Sequence, residues 1–131
     1  MKPRPRELTL YLRIMVGRDI KIGPGKADLL QGIEQTGSIA AAGRQMQMSY
    51  KRAWYLLDTL NQCFQEPLVQ TRKGGRGAGG TTLTPMGKKV LALYRSIEAR
   101  ARRATDRELA ALGELTRPVR VQTSPPTRHS S

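Results

Sequence analysis

The sequence predicts a mainly α-helical domain with small β elements, and three observations carry that prediction. Two helical apolar patterns follow one another across residues 38–64, each opened by a serine. A glycine-rich segment flanked by two β-prone runs comes directly after them. A long helical seam then runs from Pro85 to about Leu112. With 131 residues, 38% of them hydrophobic, the chain has room for one compact domain plus unpacked segments.

The elements follow in order. Residues 1–7 form a basic N-terminal arm, and the folded domain is placed at 8–84. Leu8, Leu10, Leu12, Ile14 and Val16 alternate onto one face, which predicts a strand with one buried side. Gly17-Arg18-Asp19 signals a turn, so Ile20-Lys21-Ile22 can pair back as the second half of an N-terminal hairpin. Gly23-Pro24-Gly25 breaks it. From Lys26 to about Gln35, Leu29, Leu30 and Ile33 have helical spacing, and Gly37 supplies the stop. Ser38 caps a short helix whose inward residues are Ile39, Ala42 and Met46. After a short break Ser49 caps a longer helix, with Ala53, Trp54, Leu57, Leu60 and Phe64 at 3–4 spacing on its inner side. Pro67 ends it. Leu68–Thr71 and Thr81–Leu83 read as two short strands around the segment 72–80, which holds five glycines and three cations.

Thr84-Pro85 is a strong helix start, a capping side chain before a proline at the first helical position. The helix expected over 85–112 carries Met86, Val90, Leu93, Ile97, Ala101 and Ala104 at steps of three and four, a seam suited to a second helix. Its other face, with Lys88, Lys89, Arg95, Arg102 and Arg103, reads as solvated surface. Residues 113–131 are rich in Thr, Ser, Pro and Arg and are expected to be a disordered tail.

Charge narrows the function. Lys and Arg number 23 against 10 Asp and Glu, a formal net charge of +13, which points to a polyanionic partner. There is one cysteine, Cys63, and one histidine, His129 in the tail, so cysteine-based metal sites and histidine catalysis are not expected. No carboxylate pair has a catalytic spacing, and no cofactor is called for. No apolar run approaches the ~20 residues of a membrane span, and the basic N-terminus lacks a signal-peptide core. The chain reads as cytosolic.

The run from Gly37 to Ser49 has the order of a helix-turn-helix. Small Ala42 and Gly43 permit close crossing, Met46 and Met48 plug either side of the turn, and Ser49 caps the second helix. Such a unit presents the start of its second helix to the major groove of DNA. There the exposed candidates are Ser49, Tyr50, Lys51, Arg52 and Tyr55. A two-helix hairpin in a small bundle would show the same apolar pattern. The strand, glycine loop and strand that follow have the arrangement of a wing, with Arg72, Lys73 and Arg76 able to reach phosphates or the minor groove. A flexible hairpin with solvated cations is the plainer alternative. No phosphate-binding glycine loop of the nucleotide-binding type has the right spacing. Trp54, Tyr11 and Tyr94 read as packing residues.

Ser49-Tyr50-Lys51-x-Ala53-Trp54, then Asn61, then Gly74-Gly75-x-Gly77-x-Gly79-Gly80 and Leu83-Thr84-x-x-Gly87 resemble the N-terminal domain of the ModE family of molybdate-responsive regulators. That domain is similar to the winged helix-turn-helix of LysR-type regulators, and the resemblance covers roughly residues 7–112. It implies a winged helix-turn-helix protein that binds double-stranded DNA sequence-specifically, regulates transcription in connection with molybdenum, and dimerises through helices flanking the winged core. The long helix over 85–112 is then expected to join two protomers through Val90, Leu93, Ile97 and Ala101 of its seam. Direct molybdate binding is not expected of this chain alone, because the sequence ends without the molybdate-binding domains of full-length members. Gln47 occupies a turn position where glycine is common. The alternatives to sequence-specific regulation are a winged helix that binds a partner protein, and non-specific architectural DNA binding.

Overall fold

The computed structural model describes residues 8–72 and 80–117. The described residues within 11–101 form one compact unit, and described residues 8–10 with 102–117 fall in another. Among the described residues the elements are β1 (Ile14–Val16), β2 (Asp19–Ile22), α1 (Pro24–Thr36), α2 (Ile39–Gln45), α3 (Tyr50–Cys63), β3 (Val69–Arg72), β4 (Gly80–Leu83), α4 (Pro85–Ala104) and α5 (Asp106–Glu114). The fold is mostly helical, with two separate antiparallel strand pairs, β1–β2 and β3–β4.

Each boundary has a local cause. Pro24 stands in the first turn of α1, where its missing N–H would find no partner anyway, so the helix begins two residues before the expected Lys26. Gly37 ends α1 in the left-handed region at φ 73°, and its N–H donates to the Ile33 carbonyl at 2.7 Å. Ser38 Oγ accepts from the Ala41 N–H at 3.0 Å and so starts α2. Ser49 Oγ accepts from the Arg52 N–H at 3.1 Å and starts α3. Between them the Gly43 carbonyl accepts from the N–H groups of Met46 and Met48, and Gln47 takes φ 57°. A side chain in that region costs about 1 kcal/mol, which is why glycine is the common occupant.

The core of the 11–101 unit joins Leu29, Leu30 and Ile33 of α1 to Ala53, Leu57 and Leu60 of α3, with Leu68 and Tyr94 closing it. α2 crosses α3 closely because Gly43 has no side chain: a Cβ there would stand 3.3 Å from that of Ala53. Met46 and Met48 are half-buried against the core, as expected of the two plugs. Asn61 Oδ1 accepts from the N–H of Leu68 at 2.8 Å and ties the end of α3 to the strand pair. Thr84 Oγ1 accepts from the Gly87 N–H at 3.0 Å and caps α4, while donating to the Pro67 carbonyl at 2.7 Å. At the other end of β4, the Thr81 N–H donates to the Gly37 carbonyl at 2.9 Å.

α4 has two apolar faces. Gly87, Leu91, Tyr94 and Glu98, at helical spacing, are buried, and Tyr94 O–H donates to the Leu12 carbonyl at 2.6 Å. Arg95 is not the freely solvated residue the sequence suggested. It donates to Gln31 at 3.0 Å and Asp28 at 2.7 Å on α1, and to Glu98 at 2.9 Å on its own helix. Burial works against its charge, but the hydrogen bonds and charges of Asp28 and Glu98 outweigh it and lift the guanidinium above its ordinary pKa.

Three other expectations need correction. Residues 8–13 form no strand: β1 pairs only over Ile14–Val16, because β2 has four residues before Gly23 and Pro24 open α1. Tyr11 is 70% exposed rather than packed, since it lies on the outward parity of the alternation that half-buries Leu10, Leu12 and Ile14. The helix expected over 85–112 is two. α4 ends at Ala104, Thr105 leaves helical geometry at φ −109°, ψ 12°, and α5 starts at Asp106. The charges suit this break, with Arg102 and Arg103 in the last turn of α4 and Asp106 and Glu108 in the first turn of α5. In the second unit α5 runs to Glu114, past the boundary expected at Gly113. The expected arm at 1–7 and all but the first residues of the expected tail lie outside the described residues.

Candidate nucleic-acid interface

α2 and α3, joined by the tight turn at 46–48, have helix-turn-helix geometry: α2 packs on α1 and across α3, and the first turns of α3 project outward. The inner stripe of α3 is used up by Ala53, Leu57 and Leu60, which leaves Tyr50, Lys51, Arg52 and Tyr55 exposed. Ser49 is exposed as well, but its hydroxyl oxygen is engaged as the cap of α3. Two cations and two phenol groups therefore share one helix start, whose own free N–H groups add partial positive charge.

The strand pair brings a further cation to that place. β3 and β4 pair in register from Val69 with Leu83 to Arg72 with Gly80, and Arg72 is exposed. Tyr50 and Arg72 line one open cleft of about 380 Å³, walled by Ser38 and Ile39 at the start of α2 and by Thr71 and Gly80 of the strands. The cleft joins the helix start to the base of the wing. Lys73 and Arg76 lie outside the described residues.

Residues 27–88 match the family of bacterial regulatory helix-turn-helix proteins of the lysR type. Over those 62 residues the chain resembles a LysR-type helix-turn-helix domain. Its curated relatives include the molybdenum transport protein ModE of Azotobacter vinelandii, 41% identical over 102 residues that make up 75% of this chain and 38% of that protein. The transcriptional regulator ModE of Haemophilus influenzae is 36% identical over 68% of this chain and 35% of its own length. The chain thus spans little more than a third of these relatives. Among solved structures, the DNA-binding domain of CbnR in complex with DNA superposes with a TM-score of 0.53 at 24% identity, over 66% of this chain and 94% of that one. That likeness gives the winged-helix fold.

The helix-turn-helix holds one surface residue that the sequence pattern assigned to the core. Trp54 is 50% exposed. Its neighbour Ala53 is fully buried, and adjacent helical residues point about 100° apart, so Trp54 falls on the flank with Tyr50 and Asn61. The signal was available: Asn61, seven residues on, shares that flank and is polar. The 3–4 spacing of Trp54 to Leu57 made it look internal.

The four residues expected at a dimer interface lie on the second apolar face of α4. Leu93 is 56% and Ile97 43% exposed, while Val90 and Ala101 are half-buried. Val90, Leu93 and Ile97 border an apolar groove of about 350 Å³, completed by Ile14 and Ile22 of the hairpin and Phe64 after α3. Among the described residues, no group of three or more His, Cys, Asp and Glu is placed to hold a metal ion, and no helix is long and apolar enough to cross a membrane.

Proposed function

We propose that this chain is the DNA-binding part of a ModE-type transcriptional regulator, acting as a homodimer on genes of molybdenum handling. The observation that carries the reading is the cleft shared by Tyr50 and Arg72 beside exposed Lys51, Arg52 and Tyr55. α3 enters the major groove, where Lys51 and Arg52 suit guanine O6 and N7 and Tyr55 suits a phosphate or a thymine methyl. Ser49 and Tyr50 contact the backbone at the helix start, and Arg72, Lys73 and Arg76 hold the phosphates or minor groove beside it. Two protomers join through Val90, Leu93, Ile97 and Ala101, since so large an apolar face is costly to leave in water. The names of the ModE relatives support both the regulatory role and the link to molybdenum. The role is binding rather than catalysis and is carried out on the nucleoid in the cytoplasm.

A gel-shift against sheared genomic DNA at ~0.15 M salt tests it. A retarded complex that survives competition by random-sequence duplex is the expected result. No retardation would transfer the surface to a partner protein, and a complex lost equally to random duplex would make the protein an architectural DNA binder.

A further inference from the structure

The indole of Trp54 is the largest apolar group on the candidate DNA surface, and it is the chain's one tryptophan. It lies one turn along α3 from Tyr50 and Lys51 and one turn before Asp58. There it borders a recess of about 160 Å³ with Ile39, Leu57, Asn61, Val69 and Thr71. Ile39 and Thr71 also border the cleft of Tyr50 and Arg72, so the recess continues that cleft along the helix.

The chemistry changes along this line. The mouth, lined by Tyr50 and Arg72, carries a cation and suits phosphate. The far end is closed by Asp58, whose carboxylate accepts from Gln62 at 3.0 Å and repels phosphate. Between them the lining is neutral and largely apolar, from Ile39, Trp54, Leu57 and Val69, and suits a methyl group rather than a charged phosphate. On the major-groove edge of B-DNA the one apolar group is the C5 methyl of thymine.

We infer that Trp54 is a specificity-determining residue, whose indole covers the methyl group of one thymine when duplex DNA is bound; this rests on the DNA-binding reading above. Covering the methyl removes two apolar surfaces from water together, and an A·T pair in the opposite sense, or a G·C pair, offers no such group at that place. Tyr50 and Arg72 hold the backbone on one side of the contact, and Asp58 bars it from the other.

The lone tryptophan makes its own probe. The full chain is titrated with fluorescein-labelled duplexes selected by the protein from a random-sequence pool. Anisotropy reports binding while tryptophan emission reports acrylamide access. We expect the acrylamide quenching seen in free protein to be lost at saturation. Replacing thymine by uracil at one position of the selected site should weaken binding about fivefold or more. That sensitivity should vanish in Trp54→Ala and persist in part in Trp54→Phe, with random duplex bound equally by all three proteins. Quenching that is unchanged while anisotropy shows bound duplex overturns the inference. So does an indole already shielded without DNA, or the absence of any uracil-sensitive position that separates wild type from Trp54→Ala. A failure of anisotropy to change with any duplex removes the DNA-binding reading itself, and the inference with it.

Discussion

At Gly87 a single methyl group decides how α4 meets the strand pair. A Cβ there would run into the carbonyl oxygen of Leu68, and that oxygen already accepts the Thr84 N–H at 2.9 Å, so the backbone has no room to retreat. Gly87→Ala should destabilise the fold by about 3 kcal/mol, as overpacking against backbone does, and a denaturant midpoint equal to wild type would show that the contact yields. Among surface residues the cations divide by role. Arg52, whose N–H is held by the Ser49 cap, extends from the first turn of α3, while Arg72 sits at the base of the wing. Arg52→Ala should flatten the difference between a selected site and random duplex. Arg72→Ala should weaken both alike and lower the salt slope of the dimer by about two, one contact per protomer. Parallel losses for the two variants on both duplexes would take Arg52 out of base readout. Trp54 shows where reading the residues failed: 3–4 spacing names a half of a helix, and which flank of that half is covered depends on how α1 and α2 pack on it, a tertiary fact.

At the scale of elements, α4 carries the strongest test. Its Gly87–Leu91–Tyr94–Glu98 stripe is spent on the core, so Leu93 and Ile97 can be made charged without emptying a packed site. Leu93→Glu and Ile97→Glu should leave far-ultraviolet circular dichroism and the unfolding midpoint close to wild type, within about 0.5 kcal/mol, and turn a dimer into a monomer in sedimentation equilibrium. A wild-type chain that is already monomeric at micromolar concentration would remove the interface. The elements legible in the sequence are those with a chemical mark at their ends: Ser38, Ser49 and Thr84 each make the cap hydrogen bond expected of them, and Gly37 takes the left-handed stop. The poorly legible ones lack such a mark. No proline or glycine stands at Thr105, so the break between α4 and α5 is written only in the switch from Arg102 and Arg103 to Asp106 and Glu108. Likewise the alternation over 8–15 is real in burial, yet a strand also needs a partner, and β2 is too short to supply one.

For the whole molecule the +13 charge is a long-range property with a local organisation. Over residues 38–80 the cations are Arg44, Lys51, Arg52, Arg72, Lys73 and Arg76, against only Asp58 and Glu66. The described members Arg44, Lys51, Arg52 and Arg72 are all exposed and Arg72 lines the cleft, whereas Arg95 on α4 is tied to Asp28 and Glu98. A bound duplex should therefore exchange counterions with the helix-turn-helix and wing, and much less with the α4 face that carries Arg95. For a dimer in which each protomer neutralises a few phosphates, the log of the association constant should fall with the log of salt concentration at a slope of about −4 to −8. Fluorescence anisotropy from ~50 to ~300 mM salt measures it. Arg95→Met should lower stability by about 2 kcal/mol, through lost charge-assisted hydrogen bonds, yet leave that slope unchanged. Arg72→Ala should make the slope shallower at nearly unchanged stability. If the slope were near zero, or if Arg95→Met shifted it as far as Arg72→Ala does, the charge would be acting from the whole surface rather than from the cleft, and the assignment of phosphate contacts to α3 and the wing would fall.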